Sequence, residues 1–488
     1  MEADRDAHMS MRTPFFAPFG ALLFGRRAHR KSPPVVEHFG ELQSMFGSRI
    51  PEGVLAPTAA GPNSRDRRFS MDSTFWVFLF QVLSPMAACR EAVRKAQAWW
   101  HGIDDEDSVD ASTSAYCQAR KRLPLVILQK LLRAICDALV GRVLTQELWR
   151  KRRVRLLDGS GFSMPDTAKN QKLWPQPSQQ KPGCGFPVMK LVGLFCLHSG
   201  ALLRYAIGNK HNHEQTLTRP LVEELEKDDV LLADRGFCSF AFFCILLARG
   251  IDSVMRLHQS RSRDFRYGKR LGLDDRLVTW KQGPARKKDP WAAEHGSLPQ
   301  TVQIRVVRYR IEIPGFRTEE IHLATTLLDP GQYPIEALAE LYLQRWGIEG
   351  RYRDIKISMG ADILRCKSPA MVEKELCMNV IGYNLTRCVM QEAAHLHDVP
   401  LDRVSYKGTL DTVRQYADGI HAARPRAREK LYDQMLELIA RDLVPYRPNR
   451  TEPRVRKRRP KNFPLMSKPR HQYRPNKPRK NSGDEGLS

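Results

Sequence analysis

The sequence predicts a mixed α/β protein with a helical block ahead of the α/β layer, a β-rich insertion inside it and a basic tail behind it. Three observations carry that prediction. Apolar runs of strand length alternate with helical segments from about residue 151 to 256. Alternating apolar residues and basic loops follow between about 257 and 330. Helical apolar spacing dominates from about 71 to 150, and prolines and cations dominate after about 445.

Taken in order, residues 1–70 are rich in Pro, Gly and Arg without a sustained period and read as an extended N-terminal arm. In 71–150, Ser84-Pro85 reads as an N-cap with a first-turn proline. Met86, Cys89, Val93, Ala96 and Trp100 then recur at steps of 3 and 4. Tyr116 to Arg122 is a second helical stretch with a basic face, and Leu128, Leu132, Ile135 and Leu139 mark a third. Such units commonly flank DNA grooves, and the Tyr116 segment is the favoured reader of a specific sequence. Ordinary helical packing explains the same pattern equally well.

In the α/β region of 151–400, Val154 to Leu157 reads as a short strand ending at Asp158-Gly159. Pro187 to Leu197 and Leu202 to Ile207 read as strands, and Val230 to Ala233 as a buried strand ending at Asp234-Arg-Gly236-Phe237. Within the 257–330 insertion the alternation slips phase near Val307 and Arg308, which suggests a bulge and turns Arg305, Arg308 and Arg310 outward. Ser368-Pro369 starts a helix reaching about His397. Residues 401–488 hold a further helical segment and the tail, where Tyr446 to Lys480 contains 14 Lys or Arg against Glu452 alone. Repeated prolines keep that tail irregular, and it reads as a phosphate-binding or merely solubilising arm.

The net charge of +25 over 488 residues points to a polyanionic partner, with nucleic acid ahead of a membrane surface. The apolar run Phe75 to Leu83 is too short to span a bilayer, and Pro14 to Phe24 lacks the leading positive charge of a signal peptide. A soluble cytoplasmic, nucleoid-associated protein without a membrane partner is expected. Ten scattered cysteines make no C-x-x-C pair and read as reduced thiols. His211-Asn-His213 and His395-Leu-His397 lack a second ligand cluster and read as structural.

The segment Tyr342-Leu-Gln-Arg345-Trp-Gly-Ile-Glu349-Gly-Arg-Tyr-Arg-Asp-Ile-Lys356 is the most informative in the chain. Read as one continuous helix, its Tyr342, Arg345, Glu349 and Lys356 fall within about 60° of one face. That face can touch a phosphate backbone and help hold a metal. Phosphodiester cleavage needs an activated water and relief of charge on the phosphate, and carboxylate-held divalent cations supply both. Asp158, Asp234 and Glu349 would form such a site if the fold gathers them. Taken singly, each Asp beside its Gly also suits a turn.

With these residues the chain resembles the DDE transposases of bacterial insertion sequences, in the insertion-sequence-four family marked by a Y-x2-R-x3-E-x6-K helix. Tyr342, Arg345, Glu349 and Lys356 match that spacing throughout. Asp158-Gly-Ser and Asp234-Arg-Gly-Phe237 resemble the family's two upstream catalytic strand ends, and Leu364 to Pro369 and Tyr383-Asn384-Leu385 resemble the stretches after the helix. The likeness spans about 150 to 400.

The resemblance implies a ribonuclease H-like catalytic domain with a β insertion, in which Asp158, Asp234 and Glu349 are catalytic and bind two Mg2+ ions, with Mn2+ able to substitute. It implies phosphate contacts from Arg345 and Lys356, backbone positioning by Tyr342, and cleavage and strand transfer at terminal inverted repeats. A homodimer holding the double-stranded transposon ends and target DNA is implied too. Some relatives carry a Trp on the last insertion strand to hold a flipped base during a hairpin step, whereas this chain has Glu320-Ile-His-Leu323 there; Trp280 and Trp346 are the alternatives. Two other readings compete: a catalytically silent DNA-binding regulator, and a structure-specific nuclease of the same fold.

Overall fold

Nine strands make one mixed sheet in the order β3-β2-β1-β4-β5-β9-β8-β7-β6. The structure, a computed structural model, describes residues 46–56, 61–63, 67–84, 88–101, 112–261, 263–284, 290–311, 319–445 and 464–473. The strands are β1 (Val154–Ser163), β2 (Val188–Cys196), β3 (Leu202–Gly208), β4 (Val230–Ala233), β5 (Asp252–Arg256), β6 (Lys269–Gly272), β7 (Asp275–Lys281), β8 (Thr301–Ile311) and β9 (Glu319–Thr325). β1, β2 and β3 form an antiparallel meander, and β4 and β5 add parallel to β1. The strands of the 257–330 segment pair antiparallel and continue the same sheet outward from β5.

Helices cover both faces, as burial of such a sheet requires. α1 (Met71–Leu83), α2 (Cys89–His101), α3 (Ser114–Arg122) and α4 (Leu125–Gly141) precede the sheet. α5 (Ala168–Leu173), α6 (Glu214–Leu217), α7 (Arg219–Val222) and α8 (Phe240–Ala248) lie within it in sequence. α9 (Ile335–Gln344), α10 (Gly347–Arg353), α11 (Pro369–Leu396), α12 (Tyr406–Ala422) and α13 (Pro425–Arg441) follow. Alternate strand residues divide between two cores. Leu156, Phe162, Leu232 and Phe195 pack with α1, α4 and α9 to α13, whereas Leu157, Val192, Leu231 and Ala233 pack with α6 to α8.

The 28-residue α11 is buried on every side, which explains its weak amphipathicity. Asn384 ties it to β3, accepting from the Leu202 N–H and donating to the Leu202 carbonyl, both at 3.0 Å. Tyr383 donates to the Gly200 carbonyl at 2.8 Å. The helices before the sheet share this core, since Phe75, Trp76 and Tyr116 belong to one cluster with Val380 and Ile381. Described residues of the N-terminal arm are anchored as well. Phe46 is buried, and the buried Arg49 pairs with Glu392 at 2.7 Å.

Four expectations need correction. Ser84 ends α1, donating its N–H to the Phe80 carbonyl, and α2 begins only at Cys89; Pro85 and Met86 lie outside the described residues. β8 keeps one register with both neighbours and has no bulge at Val307. The apparent phase slip arises because Val302, Ile304 and Val306 face one core and Val307 the other. Arg305 does not point outward: it is fully buried, pairs with Asp275 at 2.6 Å and donates to the Tyr333 carbonyl at 2.6 Å. Arg120 likewise turns inward from α3, donating to Gln81 and stacking over Phe78, so the basic face of that helix is partly structural. Most of the basic tail, 446–463 and 474–488, lies outside the described residues.

Candidate active site

The register of two parallel strands places the first two acids. Leu157 of β1 is the partner of Ala233 of β4, so Asp158 and Asp234 are the next residues on neighbouring strands. Period-2 alternation then turns both side chains toward the face carrying Leu156 and Leu232. β1 does not stop at Asp158, as its Gly-Ser sequel suggests. It runs on to Ser163 because Asp158 to Ser163 still pair with β2, while continuous burial ends at Leu157. Asp158 is therefore a strand residue at the point where the strand emerges.

Each aspartate uses one oxygen to shape its own backbone. Asp158 Oδ1 accepts from the Gly159 N–H at 2.8 Å, and Asp234 Oδ1 from the Gly236 N–H at 2.7 Å. The second turn is held from below by the buried Gln215, whose Nε2 donates to the Gly236 carbonyl at 2.6 Å. Gln215 Oε1 in turn accepts from Ser239 and from Trp291, each at 3.2 Å. Burial pushes the Asp158 carboxyl up to about 6, against the Gly159 N–H and Arg345, and Asp234 and Glu214 push the same way.

The signature segment is not one regular helix. Arg345, Trp346, Ile348 and Glu349 donate to carbonyls three residues back, which overwinds the chain between α9 and α10. Asp354–Ser358 then opens into a π-helical turn. The shared face survives because the two departures lie on either side of α10. Arg345 Nη1 reaches Asp158 Oδ2 at 3.5 Å, the Tyr352 hydroxyl donates to the Asp158 carbonyl at 2.8 Å, and Lys356 Nζ donates to Ser160 Oγ at 3.2 Å. Glu349 stands in that row between Arg345 and Tyr352. Its own side chain is exposed and, among the described residues, has no hydrogen bond or ion pair to either aspartate.

Arg351 fastens α10 from its other side, donating to the Cys196 and Leu197 carbonyls at 2.9 and 2.6 Å. Gly193, the partner of Asp158 on β2, makes room for Tyr352. A Cβ there would lie 2.7 Å from the Tyr352 hydroxyl and 2.9 Å from the Phe195 ring.

Two residues expected at a DNA surface are instead inside. Tyr342 is 3% exposed and Arg345 8%, because α9 packs them against the sheet rather than turning them outward. The Tyr342 ring lies under the Arg345 guanidinium at 5.4 Å, and its hydroxyl has no hydrogen bond of ordinary geometry. Burial pushes that hydroxyl up to about 12, with Arg345 opposing and Asp234 reinforcing. Lys356 is half-buried and held lower by burial, over the Phe162 ring at 5.3 Å.

Sequence reasoning missed Glu214 at the start of α6. A Cβ on Gly159 would lie 2.9 Å from Glu214 Oε1, so this carboxylate rests against the backbone beside Asp158. The signal was a glycine inside a strand, which marks a close approach. The histidines have local roles: His213 Nδ1 accepts from the Gln215 N–H at 3.3 Å, and His395 meets Glu147 at 3.1 Å. Trp280 is buried in the second core against Phe243, and Trp346 is half-buried beside the first. All ten cysteines are free. No described helix is long and apolar enough to cross a membrane.

The donor set at the sheet end is hard oxygen, as Mg2+ prefers. Among the described residues, no three acidic, His or Cys side chains converge closely enough to cage a metal. Neighbouring strand-end carboxylates, an Arg345-Tyr352-Lys356 row held along β1 and a mixed sheet covered on both faces are features that fit a protein of the DDE transposase class. Residues 149–385 match the transposase DDE domain. The chain is also 25% identical over 408 residues to "Transposase InsG for insertion sequence element IS4" of Escherichia coli (strain K12), covering 83% of this chain and 89% of that one. These matches support a transposase similar to those of the insertion-sequence-four family, an enzyme of transposition. A cryo-EM structure of the piggyBac transposase synaptic complex with hairpin DNA is similar at 9% identity and a TM-score of 0.39, covering 82% of this chain and 84% of that one.

Proposed function

We propose that Asp158, Asp234 and Glu349 are the catalytic and metal-holding carboxylates of this transposase, cutting DNA at terminal inverted repeats and joining the freed ends to target DNA. One observation carries the assignment: the Leu157–Ala233 register sets the two aspartates on neighbouring strands, and Arg345, Tyr352 and Lys356 fix the segment that bears Glu349 along β1. The order β3-β2-β1-β4-β5, with a leading antiparallel meander and two added parallel strands, supports a ribonuclease H-like reading of the catalytic sheet.

Two Mg2+ ions, or Mn2+ in their place, would when bound supply an activated water and neutralise charge building on the phosphate. Asp158 and Asp234 would hold the ions with the oxygens that their backbone turns leave free, and Glu349 would complete the set from α10. Arg345 holds the Asp158 carboxylate in place and presents positive charge where the scissile phosphate lies. The Tyr342 hydroxyl, buried beside the Arg345 guanidinium, would be a donor available to that phosphate. Lys356 contacts the backbone beyond it, along β1. The DNA is double-stranded, and a homodimer holds two ends for joining.

Incubation of the protein with DNA carrying the element's inverted repeats and Mg2+ should give 3′-hydroxyl ends and strand-transfer products. Glu349→Ala should abolish both while DNA binding persists. Normal cleavage by that variant would overturn the assignment.

A further inference from the structure

We infer that the cleft between α1 to α3 and the start of α11 seats the sugar-phosphate backbone of duplex DNA where it passes the active site along β1. Only the choice of DNA as the polyanion rests on the transposase reading; the roles of Asp158, Asp234 and Glu349 do not enter. The cleft has a volume of about 860 Å³. Val82, Met359 and Met371 give it an apolar lining, and Lys121, Lys169, Arg365 and Lys367 add four exposed cations. Glu375 is the one acid among its described lining residues. It is buried and turns both oxygens to the Arg365 and Cys366 N–H groups, at 2.9 and 2.8 Å. The cations are thus left without a carboxylate inside the cleft. A DNA strand matches that pattern, since its sugar edges are apolar and its phosphates anionic.

Hydrogen bonds between segments fix the walls. Lys374 Nζ donates to the Lys121 carbonyl at 2.7 Å, tying the end of α3 to α11. Thr167 Oγ1 donates to the Lys367 carbonyl at 3.0 Å and Asn170 Nδ2 to the Cys366 carbonyl at 3.3 Å, tying α5 to the segment before α11. The place of the cleft follows from β1. Lys356 meets Ser160, and Ser163 donates to the Asp362 carbonyl and accepts from the Leu364 N–H, just ahead of Arg365. At about 3.3 Å per residue, the strand runs about 17 Å from Asp158 to Ser163, roughly five phosphate steps. Exposed lysines alone would be an ordinary solvated surface. Two further observations point to an anion. Arg120 lines the cleft at only 8% exposure, and its guanidinium meets Gln81 Oε1 at 3.2 Å, Cys89 Sγ at 3.3 Å and the Phe78 and Tyr116 rings, with no carboxylate among the described residues. Buried charge without an opposite charge is costly. The 28-residue α11 also begins at the lining, where Ser368 makes no side-chain capping bond, so the positive end of the helix adds to the same field.

The test is the salt dependence of full-chain binding to a short duplex of unrelated sequence, read by fluorescence anisotropy without metal. Lys121→Gln, Lys169→Gln and Lys367→Gln together should lower the slope of log affinity against log salt by about 2.7, at about 0.9 for each lost phosphate contact. Between about 50 and 200 mM salt the unchanged protein should therefore lose about 40-fold more affinity than this variant. Lys130→Gln, Lys227→Gln and Lys430→Gln, exposed elsewhere, remove the same net charge and should leave the slope as it is. Equal effects of the two sets would mean that bulk charge alone is felt, and no effect of the first set would mean that the cleft holds no DNA; either overturns the inference. So does polyglutamate bound as tightly as the duplex and lost with the cleft set, which assigns the cleft to acidic protein. Should the cleft set melt at a lower temperature, Lys169→Gln alone decides, with a slope change of about 0.9 expected and none overturning the inference. Glu349→Ala should keep the full slope. If that variant cuts DNA normally, the site reading fails while the cleft stands.

Discussion

Asp158→Asn should make the metal-free protein more stable at pH 8. The Asp158 carboxyl rises from its ordinary 3.8 to about 6, first because it is buried and then because Asp234 and Glu214 lie near, with Arg345 and the Gly159 N–H only partly compensating. The native state therefore binds this proton more tightly than the unfolded chain. The stability from that carboxyl is complete below about pH 4 and is lost as pH climbs through about 6. A displacement of about two units at 1.36 kcal/mol each gives about 3 kcal/mol of native-state penalty at pH 8. Asn keeps the shape and the Gly159 contact without the charge. Its advantage should be about 3 kcal/mol at pH 8, about half that at pH 5 and nothing below about pH 4, read as a rise of a few degrees in melting temperature. Differencing against the unchanged protein removes Asp72 and Asp354, whose carboxyls are also pushed up to about 6 by burial. Mn2+ at a hundred times its dissociation constant should restore about 2.7 kcal/mol to the unchanged protein and nothing to the variant. An Asn variant less stable at pH 8, or equally shifted at pH 5 and 8, would refute the account of a charge-strained site.

Arg305→Met should destabilise the fold by roughly 3–5 kcal/mol, because it leaves Asp275 buried and unpaired, and Arg305→Met with Asp275→Leu should recover most of the loss in chemical denaturation. Gly193→Ala should cost about 1–3 kcal/mol by overpacking against Tyr352 and Phe195. The same change should reduce cleavage by shifting α10, and an alanine variant that cleaves and melts normally would show that Tyr352 does not set the helix position.

The chain alone determined which residues could do the chemistry, because spacing and residue type are local properties. Tyr342, Arg345, Glu349 and Lys356 were legible as a row, and Asp158 and Asp234 as acids where buried strands emerge. The strands bearing them were legible from apolar runs, as was α11 from Ser368-Pro369. Tertiary structure decided what those side chains face. Arg305 and Arg308 read alike as outward cations, yet one is sealed against Asp275, since a strand with a core on both sides gives no periodic sign of which polar residue is enclosed. Tyr342 and Arg345 are buried for the same reason: a helix pattern gives relative angles, and packing alone sets which angle meets the sheet. Glu214 had no motif at all. Its place beside Asp158 comes from the missing side chain of Gly159 and the anchoring of Gln215, contacts between segments dozens of residues apart that only a folded sheet brings together.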